Sequence, residues 1–372
     1  MKKLAAVLAF AALAAIVVTQ TQAARPDAKP KKPAPCVAKI GLIDPLTGPA
    51  AVIGQEIKNW SQFGLDQWNK AHRTKFSLVE GDTQLSAAVA STIAQQFVSN
   101  SKIVATIGPA ASQEVVAAGP IFSRARMAMV SPSATRTDLT DGSLPTFFRV
   151  VARDDSQGPT AANFLLKTLK VKRVTIVDDQ SSFSTGLAES AAPVFQRAGV
   201  TVDRESVSQT TTDYSSLVAK VGNADAVFLT WQLPANIKLF VQQLKAQGRS
   251  VPTFATTFDG GTDYVSSFAI NIHTYAPDAA IRNAFEKKYG TNYTGQFGPP
   301  SFVSAQVIAS AITSLCANHR KITRVAVVAA IRKVKFKKTI LGRPVAFDRH
   351  GDVANGRFYV YKLVNGTYRL VS

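Results

Sequence analysis

The sequence predicts an α/β protein made of two doubly wound lobes with a cleft between them. Short apolar runs alternate with helical stretches along most of the chain, which is the pattern of parallel strands covered by helices on both faces. This alternation occurs once between residues 37 and 149 and starts again after the segment RVVARDD at 149–155. The 372 residues also exceed what a single hydrophobic core comfortably supports, so two lobes are expected.

The first run of elements predicts lobe one. Apolar, β-rich stretches that are closed by turn residues predict strands, at 37–43, 76–79, 103–107 and 127–130. Apolar residues at helical spacing predict the helices between them, at 53–68, 87–97 and 112–122.

The second run of elements predicts lobe two in nearly the same order. Its strands are expected at 174–177, 200–206, 226–229 and 253–255. Its helices are expected at 159–169, 186–198, 214–221 and 234–247. In open parallel sheets, ligands bind beyond the carboxyl ends of the strands, so the candidate site residues are those that directly follow strands in both lobes.

The first 23 residues predict export from the cytoplasm. Lys2 and Lys3 precede an uncharged apolar run at 4–18, and small residues follow near Ala23, an order typical of a secretory signal peptide. The run is shorter than the ~20 residues that a membrane-spanning helix needs. An uncleaved membrane anchor is the alternative. No later segment is expected to cross a membrane.

Residues 24–36 predict a stiff, extended linker between the leader and the folded protein. The stretch RPDAKPKKPAP at 25–35 holds four prolines and four basic residues. Because no cysteine directly follows the apolar run, a lipid anchor on a cysteine is not expected, and the protein is expected to be periplasmic.

The chain is strongly basic, with 43 Lys and Arg against 24 Asp and Glu. The densest stretch runs from Arg320 to Arg349, where ten basic residues accompany one acid and alternate with apolar residues. That spacing predicts an amphipathic helix with a solvated basic face. No motif predicts a nucleic-acid partner. An adhesin for anionic polymers of the cell envelope is a further alternative that the charge leaves open.

The two cysteines, Cys36 and Cys316, are too few for a cysteine metal site. In an oxidising compartment such a pair predicts one disulfide, and two separate buried thiols are the alternative.

No known catalytic pattern is present. The four histidines lie outside any HExxH motif, and GxSxG, Walker A and GxGxxG motifs are absent. The neighbouring acids at 154–155 and 178–179 are expected to serve turns, because adjacent side chains point in different directions. We therefore expect neither an enzyme nor a cofactor or metal.

The loops after the strands predict a ligand site instead. In lobe one, Ser112 with exposed backbone N–H groups suits a carboxylate, although Ser112 could equally cap its helix. In lobe two, Asp259 suits an ammonium group, although an acid before two glycines is also typical of a turn. Phe183 and Trp231 follow lobe-two strands and are expected to form an apolar wall. Anion donors on one lobe and an acid on the other suit an amino-acid zwitterion.

Five motifs occur in an order that resembles a known family. They are IGLIDPLTGPAAVIG at 40–54, IGPAAS at 107–112, SPSAT at 131–135, DDSQGPTAA at 154–162 and FDRHGDVANG at 347–356. They resemble the periplasmic solute-binding proteins of branched-chain amino acid ABC transporters, which have the type I periplasmic binding fold. The resemblance implies capture of a small amino acid by closure of the two lobes, and delivery to a membrane ABC permease by a monomer. An amide- or urea-binding protein, or an amino-acid sensing receptor of the same fold, is the alternative.

The resemblance also implies roles for individual residues. Ser112, Ser133 and Thr135 match the loops that hold the ligand carboxylate and share the ammonium contacts. Asp259 stands where the family places an acid against the ammonium, and Phe183 where an aromatic closes over the ligand. Gln232, beside Trp231, stands where many members carry another aromatic, which leaves the side-chain specificity open.

The family fold implies three crossings between the lobes, near 151–155, 272–277 and 341–345. Lobe one then comprises 37–152 and 276–341, and lobe two comprises 153–275 and 342–372. A late helix at 301–317 is expected to pack on lobe one and to end where the first strand begins. This arrangement brings Cys316 toward Cys36 and supports the disulfide.

Overall fold

The computed structural model describes residues 35–268, 279–290 and 295–372. The predicted leader and nearly all of the predicted linker lie outside the described residues, as does the crossing predicted at 272–277.

Lobe one is built on a five-stranded parallel sheet in the order β2-β1-β3-β4-β5. Its strands are β1 (Val37–Asp44), β2 (Lys75–Asp82), β3 (Ile103–Ile107), β4 (Ala128–Ser131) and β5 (Phe147–Arg149). Its helices are α1 (Ala51–His72), α2 (Ala87–Ser99), α3 (Ser112–Arg124), α8 (Ala279–Tyr289), α9 (Gly298–Ala317) and α10 (Arg324–Ile331).

The sheet of lobe one is covered on both faces, as the sequence predicts. Ile40 and Leu42 of β1 pack in one core cluster with residues of α1, α9 and α10. Ile43, on the other face of the same strand, packs with α2 and α3. Successive strand residues point to opposite faces, which explains how one apolar strand serves both cores. Gly64 lets α1 and α9 approach closely, because a Cβ there would lie 2.9 Å from the Phe302 carbonyl oxygen.

Lobe two is built on a seven-stranded sheet in the order β14-β13-β10-β9-β8-β6-β7. Its strands are β6 (Arg173–Asp178), β7 (Thr201–Ser206), β8 (Ala226–Leu229), β9 (Thr253–Ala255), β10 (Tyr264–Ser267), β13 (Tyr359–Val364) and β14 (Thr367–Leu370). Its helices are α4 (Asp154–Phe164), α5 (Ser182–Arg197), α6 (Ser215–Val221) and α7 (Pro234–Ala246). Residues 165–169 continue α4 as one π-helical turn. The helices α4 and α5 cover one face, and α6 and α7 cover the other.

The predicted fold class is confirmed, with one addition to the topology. The strands β6 to β10 pair in parallel, whereas β13 and β14 are antiparallel and extend the sheet of lobe two at one edge. The sequence patterns did not predict β10, β13 or β14.

The first crossing leaves lobe one after Arg149, as expected, and enters lobe two at α4. The last crossing lies further along the chain than 341–345. A small ribbon of β11 (Lys335–Phe336) and β12 (Val345–Ala346) precedes it, and both Val345 and Val353 pack in the core of lobe one. The chain therefore joins the sheet of lobe two only at β13.

A buried ion pair ties the first crossing to the last one. Arg149 is fully buried, and its Nε lies 2.5 Å from Oδ1 of Asp352. Asp352 also accepts a hydrogen bond from the Thr140 hydroxyl at 2.9 Å. A paired and hydrogen-bonded charge is the form in which an arginine is found inside a protein.

The late helix α9 is long and apolar enough to cross a membrane by length and composition alone, contrary to the expectation from the sequence. About 67% of its apolar window is buried within the protein, where α9 packs on α1. The helix ends next to the start of β1, and Cys36 and Cys316 are joined there in a disulfide that closes a loop of 280 residues.

Candidate functional site

The candidate site is a cavity between the lobes with about 590 Å³ of space between protein atoms. Lobe one contributes the loops that follow β1, β3 and β4, and lobe two contributes residues that follow β6, β8, β9 and β10. The cavity therefore lies at the carboxyl ends of the strands of both sheets, where the sequence predicts it.

The loop from β3 to α3 forms the wall on the lobe-one side. Gly108 has a φ of +88°, and a Cβ there would lie 2.4 Å from the Ile43 carbonyl oxygen, so only glycine fits. The neighbouring loop after β4 holds this one in place, because the Ser131 hydroxyl donates to the Pro109 carbonyl at 2.7 Å. Ala110, Ala111 and Ser112 then face the cavity.

The structure brings most of the predicted ligand-binding residues together. Ser112, Ser133, Thr135, Phe183 and Gln232 all line the cavity. Their expected ligand contacts remain predictions.

Ser112 is the first residue of α3 and does not cap it, because Ala111 holds the cap position. Its hydroxyl oxygen accepts the Arg136 N–H at 3.3 Å. The Ser133 hydroxyl donates to the Ala110 carbonyl at 2.6 Å. The Thr135 hydroxyl is buried without a hydrogen-bond partner, and the Ser112 hydroxyl accepts in its bond to Arg136, so both have an O–H that can donate to a ligand, whereas Ser133 already donates to Ala110.

The other two predicted residues have different outcomes. Trp231 is fully buried and packs on Tyr214 and Phe240 in the core of lobe two, so it does not form the expected wall. Asp259 belongs to the 3-10 turn Phe258–Gly260, but its side chain lies outside the described residues. The role of Asp259 therefore stays a prediction.

The structure adds polar residues that the sequence did not single out. Gln157, Thr257 and Gln296 line the cavity, and each is at most 6% exposed. The Thr257 hydroxyl and Oε1 of Gln296 have no hydrogen-bond partner. Buried polar atoms of this kind cost free energy unless something pairs with them, so they favour a polar ligand.

An apolar wall completes the cavity. Phe268 follows β10 and contacts Phe297 and Phe358, with 5.9 Å between ring centroids in each pair. Ile53 and Leu85 of lobe one also line the space. None of the described lining residues carries a charge. The walls therefore combine apolar surface with neutral hydrogen-bonding groups.

Three direct hydrogen bonds join the lobes around the cavity. Nε2 of Gln113 donates to Oε1 of Gln232 at 2.9 Å, and Nη1 of Arg136 donates to the Ser182 carbonyl at 2.9 Å. Nε2 of Gln296 donates to the Thr256 carbonyl at 3.1 Å. The structure therefore has the lobes closed on each other.

Two buried carboxyl groups lie behind the lobe-one wall. Oε2 of Glu114 accepts the Ala111 N–H at 3.0 Å, and the Thr83 hydroxyl donates to its other oxygen. Burial raises the pKa of Glu114 from its usual 4.5 to about 7, although both hydrogen bonds oppose this. Burial, and secondly the Glu114 carboxyl, raise the pKa of Asp44 well above its usual range.

A third buried acid, Asp154, begins α4 at the entry to lobe two. Burial raises its pKa to about 7, and the Thr135 hydroxyl opposes this shift. That hydroxyl lies close to the carboxyl group but outside hydrogen-bond geometry.

Residues 37–367 match the family model described as periplasmic binding protein. The chain belongs to this family. The relationship predicted from the motifs is confirmed, because curated relatives of the chain include Leu/Ile/Val-binding proteins.

One such protein, from Rhizobium johnstonii, is 31% identical over 49% of this chain and 50% of its own length. The chain spans only about half of that relative. A Leu/Ile/Val-binding protein homolog from Brucella melitensis is 27% identical over 88% of this chain and 91% of its own length.

A solved structure confirms the fold independently. The branched-chain amino acid transporter substrate-binding protein of Streptococcus pneumoniae, in complex with isoleucine, superposes with a TM-score of 0.80. The two share 22% sequence identity over 90% of this chain and 99% of that chain. At this identity the likeness shows the shared fold, and the ligand of this periplasmic binding protein has to be argued from its own residues.

Proposed function

We propose that this periplasmic binding protein captures a small amino acid of the branched-chain type by closing its lobes, and delivers it to an ABC permease. The observation that carries the proposal is the closed interlobe cavity, which combines an apolar wall with unpartnered hydroxyl and amide atoms. The names of the curated relatives support the ligand class.

The affinity that capture requires explains why enclosure matters. A micromolar dissociation constant corresponds to about 8 kcal/mol. Leucine has only about nine non-hydrogen atoms, so each must supply nearly 1 kcal/mol, against a ceiling of about 1.5 for very small ligands. A cavity closed from both sides can supply this, because nearly every ligand atom then contacts protein.

The two ends of the cavity suit the two ends of an amino acid. The N–H groups and hydroxyls of the lobe-one loops suit its carboxylate. The apolar wall around Phe268 and Ile53 suits an aliphatic side chain. Asp259 is proposed to receive the ammonium group, as the family resemblance implies.

Titration calorimetry tests the proposal directly. Leucine, isoleucine and valine are expected to bind with micromolar or tighter affinity, whereas urea, acetamide and benzoate are expected to bind at least about a hundredfold more weakly. Preferred binding of urea or acetamide would replace the proposal with an amide-binding function.

Asp259→Ala is expected to weaken leucine binding by about a hundredfold or more, because an enclosed ammonium group would lose its charged partner. Asp203→Ala is the matched control, since it removes an acid from the same lobe where Asp203 pairs with Arg173 at the surface, 3.0 Å away. Unchanged affinity in the Asp259 variant would contradict this site. Uptake of labelled leucine by cells with and without the gene tests delivery to a permease.

A further inference from the structure

The outer end of lobe one, opposite the cavity, carries a set of exposed cations. We define the basic pole by Lys70, Lys75, Lys102, Arg126, Lys321 and Lys335, all of which are exposed. Because β1 to β4 are parallel, the residues that precede them meet at one edge of the sheet. Lys75 starts β2, Lys102 directly precedes β3, and Arg126 lies two residues before β4.

Specific contacts bring the later segments to the same edge. The disulfide places the end of α9 beside the start of β1. The Arg324 guanidinium donates to the carbonyls of Val98 and Asn100, at 2.8 and 3.0 Å, which fixes the start of α10 against the loop before β3. Lys321 lies between these two attachments.

Trp68 joins the end of α1, which carries Lys70, to α9 and to the segment that carries Lys335. Its indole N–H donates to the Thr313 hydroxyl of α9 at 2.9 Å, and its ring contacts Phe336 with 6.5 Å between centroids. Lys70 lies two residues after Trp68 on α1, and Lys335 is the neighbour of Phe336.

The charge of the basic pole is not neutralised by acids of its own segments. Residues 67–77, 99–104, 123–128 and 314–340 contain no aspartate or glutamate. The nearest acids on α1 and β2 are already paired, Asp66 with Lys288 at 2.6 Å and Glu80 with Lys58 at 2.8 Å. The loop before β5 holds two acids, Asp138, which pairs with Arg136 at 2.8 Å, and Asp141. Such a single-sign surface creates a field that attracts anions.

The apolar neighbours of these cations favour a lipid surface over a linear polyanion. Val37 and Val325 are 58% and 51% exposed, and they lie at the start of β1 and in the first turn of α10, within this pole. Exposed valines gain nothing from a polyphosphate or a polysaccharide, but they can enter the headgroup region of a bilayer. Five of the six defining cations are lysines, and lysine suits diffuse attraction to a charged surface.

We propose that the basic pole binds the surface of membranes that contain anionic phospholipid. Each lysine or arginine near an anionic membrane contributes about 1 kcal/mol at most, so the six defining cations suffice for reversible binding. The pole lies at the amino ends of the strands and the cavity at their carboxyl ends, so lipid binding leaves the cavity accessible.

Co-sedimentation with vesicles tests the proposal. The isolated protein is expected to bind vesicles of phosphatidylglycerol and phosphatidylcholine at low salt, to be released at about 0.5 M salt, and not to bind pure phosphatidylcholine. Lys70→Glu/Lys75→Glu/Lys321→Glu is expected to weaken binding at least about tenfold. The matched control Lys167→Glu/Lys172→Glu/Lys245→Glu makes the same charge change on exposed residues of lobe two and is expected to bind like the wild type.

Two further measurements complete the test. Val37→Ser/Val325→Ser is expected to weaken vesicle binding but not retention on polyphosphate. Amino-acid binding by calorimetry is expected to be the same in all of these variants, so the outcome is independent of the proposed function. The proposal would be overturned if the two triple lysine-to-glutamate variants lost vesicle binding equally. It would also be overturned if Val37→Ser/Val325→Ser bound vesicles as well as the wild type and was strongly retained on polyphosphate.

Discussion

The two lobes share one architecture but differ in whether the basic residues at their outer ends lie beside acidic ones. At the outer end of lobe two, Asp225 accepts the backbone N–H groups of Lys172 and Arg173, and the Arg173 side chain pairs with Asp203. At the outer end of lobe one, the corresponding strand starts carry cations without acids in the same segments. A doubly wound lobe is therefore stable without the basic pole, which indicates that the charge of lobe one serves something other than its fold.

The inner ends of the lobes also differ. Lobe one presents hydroxyls and a glycine-shaped loop that neighbouring side chains already hold in place. Lobe two presents amides, a threonine and aromatic rings. The difference suggests a division of work, in which lobe one supplies a preformed surface and lobe two completes the cavity on closure.

The largest expected effect concerns the disulfide, which only lobe one contains, since the chain has just two cysteines. Cys36→Ser/Cys316→Ser is expected to lower the free energy of unfolding by up to about 5 kcal/mol, because the unfolded chain is no longer held in a loop. Differential scanning calorimetry measures this, with the reduced wild type as the control. A melting temperature equal to that of the oxidised wild type would contradict the prediction.

The next effect concerns the buried acids, of which Asp44 and Glu114 belong to lobe one and Asp154 begins lobe two. Because folding raises the pKa of Glu114 from 4.5 to about 7, the unfolded chain loses this proton first as the pH rises. The contribution of Glu114 to stability is therefore greatest below about pH 4.5 and falls until about pH 7. For Glu114 the loss is on the order of 3 kcal/mol.

Glu114→Gln is expected to remove that part of the pH dependence, as urea denaturation at a series of pH values will show. Glu205→Gln, a surface acid of lobe two that pairs with Lys220, is the control and is expected to keep the wild-type profile. If the Glu114 variant shows the same pH dependence of unfolding as the wild type, folding does not raise the pKa of Glu114.

The smallest expected effect concerns Gln296, which links the two lobes at the cavity. Gln296→Met keeps the length of the side chain but removes the donor to Thr256 and the unpartnered Oε1. Leucine affinity is expected to fall about tenfold, the effect of losing one or two neutral hydrogen bonds. Gln62→Met on α1 is the control for calorimetry, because Gln62 pairs only with Asp66 outside the cavity. An unchanged dissociation constant for leucine would show that Gln296 does not contribute to ligand binding.

The sequence predicted best what depends on neighbours along the chain. The parallel strands and their following loops were clear, which is why Ser112, Ser133 and Thr135 were found. Trp231 was misplaced because this residue, the second after β8, faces the core and the next one, Gln232, faces the cavity. A one-residue difference of this kind reverses the direction of a side chain.

Residues that reach the cavity through tertiary packing could not be predicted. Gln157 lies within α4, and Gln296 lies two residues before α9, far in sequence from the lobe-one loops that line the cavity. The edge strands β13 and β14 were missed for a different reason. They form a hairpin whose two-residue turn is Asn365-Gly366, both with positive φ, and this is a local signal that could have predicted both strands. Only the pairing of β13 with β10, about a hundred residues earlier, depends on tertiary packing.

The disulfide sets an order of events for the newborn polypeptide. Cys36 leaves the ribosome or an export channel early, but its partner follows 280 residues later. By then the complete run from α4 to β10 has emerged, so most of lobe two has time to assemble while lobe one still waits for α9. Maturation of lobe one thus waits for α9, and the covalent lock can close while α10, β13 and β14 are still to come.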